Sequence, residues 1–173
     1  MTTRSAAHRA APMMLAALVL APPAQAEPRL DLDAVRSCVE TAAELGRKPT
    51  TCVDDAHAPC LQVSTETPAV AGLCFAETRQ EWSDAIAARM ADLGEKAPER
   101  IAALAGIEVK YDLLSALVQC DRMEELALLR ELPAEEIQLQ KSRCTATASG
   151  LAYIRLLWRL PDPDTPLAKE TDK

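Results

Sequence analysis

The chain has 173 residues, with 19 Lys or Arg against 26 Asp or Glu and a formal net charge of -7. That acidity excludes a reader of nucleic-acid phosphates, which needs clustered cations to displace counterions. Only Phe75, Trp82, Tyr111, Tyr153 and Trp158 are aromatic, while Ala, Leu and Glu recur, so the composition favours helices over sheets.

Arg4 and Arg9 precede the apolar run from Met13 to Ala21, and Ala24-Gln25-Ala26 follows as a small-x-small cleavage site. Residues 1–26 therefore read as a secretory signal peptide. The run is shorter than the about 20 residues that a spanning helix needs, and no later stretch is longer without charges, so no integral membrane segment is expected after cleavage. Glu27 follows the cleavage site where a lipoprotein needs Cys, which argues against a lipid anchor. Cleavage removes Arg4 and Arg9 and shifts the net charge from -7 to -9. The expected location is the periplasm or the exterior.

Six cysteines (Cys38, Cys52, Cys60, Cys74, Cys120, Cys144) follow the leader, and an even count in an oxidising compartment implies a disulfide framework. With no CxxC pair and with His57 as the one His beyond the leader, the local spacings of zinc and thioredoxin-like sites are missing, and no metal or cofactor is expected. Two cysteines on antiparallel helices meet when they stand equally far from the turn. Cys120 and Cys144 centre on Leu132 beside Pro133, Cys38 and Cys52 on Leu45 beside Gly46, and Cys60 and Cys74 flank Thr67-Pro68. Neighbour pairing is expected on this ground, with crossed pairings left open.

A first helix is expected from Asp31 to Leu45, with Val35, Cys38, Val39 and Ala42 on one face, Asp31 or Asp33 as N-cap and Gly46 as the stop. Residues 46 to 66, with Pro49 and Pro59, read as a disulfide-pinned loop with a helical turn near Asp54 to Ala58. Thr67-Pro68 starts a second helix ending at Gly94. Its expected buried stripe is Val70, Cys74, Trp82, Ile86, Met90 and Leu93, anchored by Trp82, with Glu77, Arg79, Glu81, Asp84 and Arg89 on the wet side. A third helix runs from Pro98 to Leu129 through Ile101, Leu104, Val109, Leu113, Leu114, Leu117, Cys120, Leu126 and Leu129, with Gly106 as a weak point. A fourth spans Ala134 to Leu160, with Ile137, Cys144, Leu151 and Trp158 seven apart on one face. The expected fold is all-α, a small disulfide-stapled bundle of about four helices forming one domain over 27–160, followed by a disordered tail at 161–173.

His57 lies in the Cys-rich loop and is expected to face solvent, which leaves nucleophilic and His-metal catalysis without a partner. GxSxG, GxGxxG, Walker and HExxH motifs are absent. Glu77 and Glu81 stand i, i+4 and are close enough for acid and base roles in glycoside hydrolysis, but nearby Arg79, Arg89 and Lys96 suggest an ordinary solvated face. Glu124-Glu125, Glu131, Glu135 and Glu136 likewise read as solvated surface. No catalytic residue is expected, and the chain reads as a binding protein and not an enzyme.

The stretch from Cys60 to Met90, with Cys-(13)-Cys-Phe-Ala-Glu-Thr-Arg-Gln-Glu-Trp, resembles the lysozyme inhibitor LprI-like family, whose members carry Cys-x7-Trp-x3-Leu on a long helix. Cys74, Trp82 and Ile86 fall on those positions, and the order of all six cysteines agrees. Before Cys120 the chain departs from the family's Gln-x2-Trp-x3-Arg-Asp and reads Tyr111 to Leu117 instead. The resemblance implies an exported helical protein that binds and blocks lysozyme, a basic enzyme of the same compartment, and it names no contacting residue. The alternative is a structural or envelope-stress module that binds another periplasmic protein or a cell-wall component.

Overall fold

The structure, a computed structural model, describes residues 30–160. The expected signal peptide at 1–26 and the tail at 161–173 lie outside the described residues. The fold is all-α and disulfide-stapled: α1 (Leu32–Glu44), α2 (Thr51–Ala56), α3 (Ala58–Leu61), α4 (Pro68–Lys96), α5 (Glu99–Leu129) and α6 (Ala134–Arg159), with no strand among the described residues. The four helices expected from periodicity are α1, α4, α5 and α6. The segment expected as a loop holds α2 and α3, which are too short to persist alone. Cys52 at the start of α2 is bridged to Cys38 on α1, and Cys60 in α3 to Cys74 on α4.

Local signals explain the helix ends. The Asp31 carboxylate accepts from the Asp33 and Ala34 amides at 3.1 and 2.9 Å, capping α1, and Gly46 leaves it at φ +61°. Gly94 does not stop α4, which continues to Lys96. Pro98 does so instead, because it bars its predecessor from helical geometry and Ala97 is extended at φ -89°, ψ 156°.

Contacts along the long helices give their directions. From the α5–α6 turn outward, Glu124 meets Lys141, Cys120 bridges Cys144, Asp112 meets Arg155 at 3.0 Å and Glu108 meets Arg159 at 2.8 Å, so the two helices form an antiparallel hairpin. Helices α4 and α6 run parallel: the Gly72 face lies against Leu139, that of Trp82 against Gly150, and Leu93 packs with Leu156. Helix α5 reaches α4 chiefly near their turn, where Met90, Leu93, Ala105 and Val109 cluster. Helix α1 lays Val35 and Val39 on the core of Trp82, Ile86 and Tyr153.

Trp82 anchors the core as expected, with no exposed surface. It fits because Gly150 faces it. A Cβ built there would stand 3.1 Å from the indole and 3.0 Å from Val53 Cγ1. The buried face of α6 therefore runs through Ser142, Ala146, Ser149, Gly150, Tyr153 and Leu156; of the expected heptad row Ile137 is buried, while Cys144 and Leu151 are half-buried and Trp158 is 38% exposed. Small residues admit a close neighbour but leave no hydrophobic mark in the sequence.

Three further expectations are corrected. Val70 is exposed, and Ala71, Gly72, Phe75 and Thr78 fill the start of the α4 stripe. Arg89 is not on the wet side: its side chain is 9% exposed, donating from Nη1 to Asp92 at 2.6 Å and from Nη2 to the Leu160 carbonyl at 2.8 Å, which ties down the end of α6. On α5, Leu104, Leu114, Leu126 and Leu129 are exposed, because the helix packs through Ala105, Val109, Leu113, Cys120 and Ala127.

Two of the helical glycines should respond oppositely to alanine. Gly94→Ala meets nothing within 4 Å and should raise stability by up to about 1 kcal/mol through helix propensity. Gly150→Ala forces the indole or Val53 to move and should lower it by about 1 to 3 kcal/mol. Thermal melts of the two variants beside the parent check both signs.

Candidate functional site

The residues singled out by family pattern are internal. Cys74, Trp82 and Ile86 are 3%, 0% and 7% exposed, so they shape the scaffold and offer nothing to a partner. All six cysteines are bridged: Cys38 to Cys52, Cys60 to Cys74 and Cys120 to Cys144.

His57, expected in solvent, is buried between α2 and α3. Trp82 Nε1 donates to His57 Nε2 at 3.0 Å, and Phe75 meets the imidazole edge-on at 5.4 Å. Nε2 can accept only when unprotonated, so the neutral ring with its proton on Nδ1 fits this site. Burial pushes the His57 pKa down from 6.5 to about 4; Asp54 opposes the shift and Arg143 adds to it. A lone His between two alanines carries no sequence signal for this role. The clue available was the need of a buried indole for an acceptor.

Glu77 and Glu81 are half-buried on α4, and the Glu81 carboxylate accepts from the Leu30 amide at 2.8 Å, holding the chain as it enters α1. Among the described residues no group of three or more His, Cys, Asp or Glu is placed to hold a metal ion. Nor is any described helix long and apolar enough to cross a membrane.

Two of the concavities formed by the described residues bear on binding. Between α1 and α4 lies a cleft of about 340 Å³, walled by Leu32, Arg36, Glu40, Arg89, Asp92 and Tyr153. Its charges are mixed. Lys96, hydrogen-bonded to Asp92, holds that carboxyl below the usual range, with Arg89 adding to the effect. The second is an open groove of about 740 Å³ between α5 and α6, mostly apolar, with the Cys120–Cys144 bridge in its lining. Ala116 and Met123 form one bank, Leu139 and Leu151 the other, and Arg143 and Glu136 are exposed within its lining. Lys141 ties the two helices by pairing with Glu124 and Asp121, and its pKa is raised, chiefly by the hydrogen bond to Glu124. A crosslinked groove of fixed width suits an apolar side chain or a short apolar segment presented by another molecule. No local pattern marks it, because its lining is shared between two helices, over 116–123 on α5 and 136–151 on α6.

Comparison with protein-family models, with curated proteins and with solved structures finds no match to this chain.

Stability should fall in acid through His57. Its pKa is lower in the folded than in the unfolded chain, so its contribution is complete above pH 6.5 and lost as pH drops towards about 4. Between pH 7 and pH 4.5 the loss should be on the order of 2 kcal/mol. His57→Gln keeps an acceptor for the indole without titrating, and denaturant titrations across that range should show a flatter profile for it.

Proposed function

We propose that this chain is an exported, non-enzymatic binding protein that engages a protein partner through the α5–α6 groove, and that the partner is a lysozyme of the same compartment. The observation that carries the reading is the groove itself, an apolar trough whose walls are crosslinked through Cys120–Cys144 and therefore held ready for an apolar group. Export is supported by the leader-like residues 1–26 and by six cysteines that are all paired. The choice of lysozyme rests on the family pattern at Cys74, Trp82 and Ile86. A net charge of -7 is of the right sign to speed encounter with a basic enzyme.

In a turbidity assay on cell-wall suspensions, micromolar chain should slow lysozyme, less so as salt rises. Met123→Arg, at a site 42% exposed and therefore foldable, should weaken inhibition at least tenfold. Absence of inhibition with any lysozyme removes that partner. If inhibition is equal for Met123→Arg, the groove is not the contact.

A further inference from the structure

The outer side of α5 is a surface distinct from the groove. Leu104, Ile107, Tyr111, Leu114 and Val118 are 51%, 53%, 67%, 50% and 54% exposed. Their intervals of three and four place them on one stripe, about 21 Å long at the helical rise. Ala105, Val109, Leu113 and Cys120 pack inward from the opposite side. A helix that is apolar on both sides fits between two neighbours, and among the described residues α5 has neighbours on one side only. The five exposed side chains present roughly 500 Å² of mainly apolar surface, towards the upper limit for a monomer. Two such stripes face to face would cover about 1,000 Å², the lower bound for a specific interface.

We propose that this stripe seats a second copy of the chain, with the two α5 helices antiparallel about a two-fold axis between Tyr111 and Leu114. The charges that bound the stripe favour this occupant. Continuing the three-and-four spacing, the stripe ends in Arg100 on one side and in Asp121, Arg122 and Glu125 on the other, all exposed, two acids against one base. With Tyr111 opposite Leu114 of the second copy, Ile107 falls opposite Val118, Leu104 opposite Asp121 and Arg100 opposite Glu125, so that Arg100 has Asp121 about one turn away. The two-fold axis repeats each of these contacts. A parallel pair would instead set Arg100 against Arg100 and Glu125 against Glu125. Along the flanks Lys110 and Arg122 offset Glu108, so a chain of net charge -7 brings no acidic repulsion into the seam. A two-fold contact between like patches closes at two copies and does not propagate.

Sedimentation velocity on the full chain over a range from about 1 to 100 μM, covering the affinity expected for an interface of this size, should show a monomer–dimer equilibrium. Leu114→Glu and Tyr111→Asp, both at exposed positions, should each shift the midpoint to at least tenfold higher concentration while leaving the helical circular dichroism unchanged. Arg100→Glu should weaken the dimer, and Arg100→Glu combined with Glu125→Arg should restore it. Met123→Arg in the groove should leave the dimer intact, so the outcome does not depend on the proposed lysozyme contact. A monomer at every concentration overturns the proposal. So does a dimer that Leu114→Glu and Tyr111→Asp do not disturb, or a charge swap that fails to rescue.

Discussion

The fold depends on where one indole can be put. Trp82 is the largest side chain in the core, and burying it brings two demands: space on the facing helix and an acceptor for its N–H. Gly150 meets the first and the His57 Nε2 lone pair the second. Each demand recruits a different part of the chain. The first draws α6 alongside α4 and explains why its inner face is made of Ser, Ala and Gly. The second requires α2 and α3 to pass over α4 with the imidazole turned inward. The bridges from Cys38 to Cys52 and from Cys60 to Cys74 hold that short segment at both ends.

The parts of this arrangement that were legible in the sequence were those written locally. The Asp31 cap, the Gly46 exit, the Pro68 start and the Trp82 anchor each depend on neighbours in sequence, and each stands where residue type and spacing put it. What could not be read depends on neighbours in space. Small side chains on α6 form the closest seam, yet they contribute nothing to a search for apolar periodicity, which favours Ile137, Cys144, Leu151 and Trp158. Arg89 reads as solvated because it is charged, and it is covered because its guanidinium reaches the last carbonyl of a helix 71 residues away. His57 looks like a loop residue until the indole is placed beside it.

The surface follows from the same geometry. With α4 and α6 in close contact, α5 is left to pack mainly on α6, and two consequences follow for its side chains. Between α5 and α6, the groove opens beside Cys120–Cys144. Where it turns away from the bundle, the row from Leu104 to Val118 meets water. Neither feature uses Cys74, Trp82 or Ile86, which lie inside.

Connectivity of the bridges has a bearing on how the chain matures. Each of the three bridges, spanning 14, 14 and 24 residues, joins consecutive cysteines in chain order, with no bridge enclosing or crossing another. A polypeptide emerging end-first into an oxidising space presents its cysteines two at a time, in the order in which they are joined. Correct oxidation can then keep pace with emergence, each bridge closing before the second cysteine of the next has appeared.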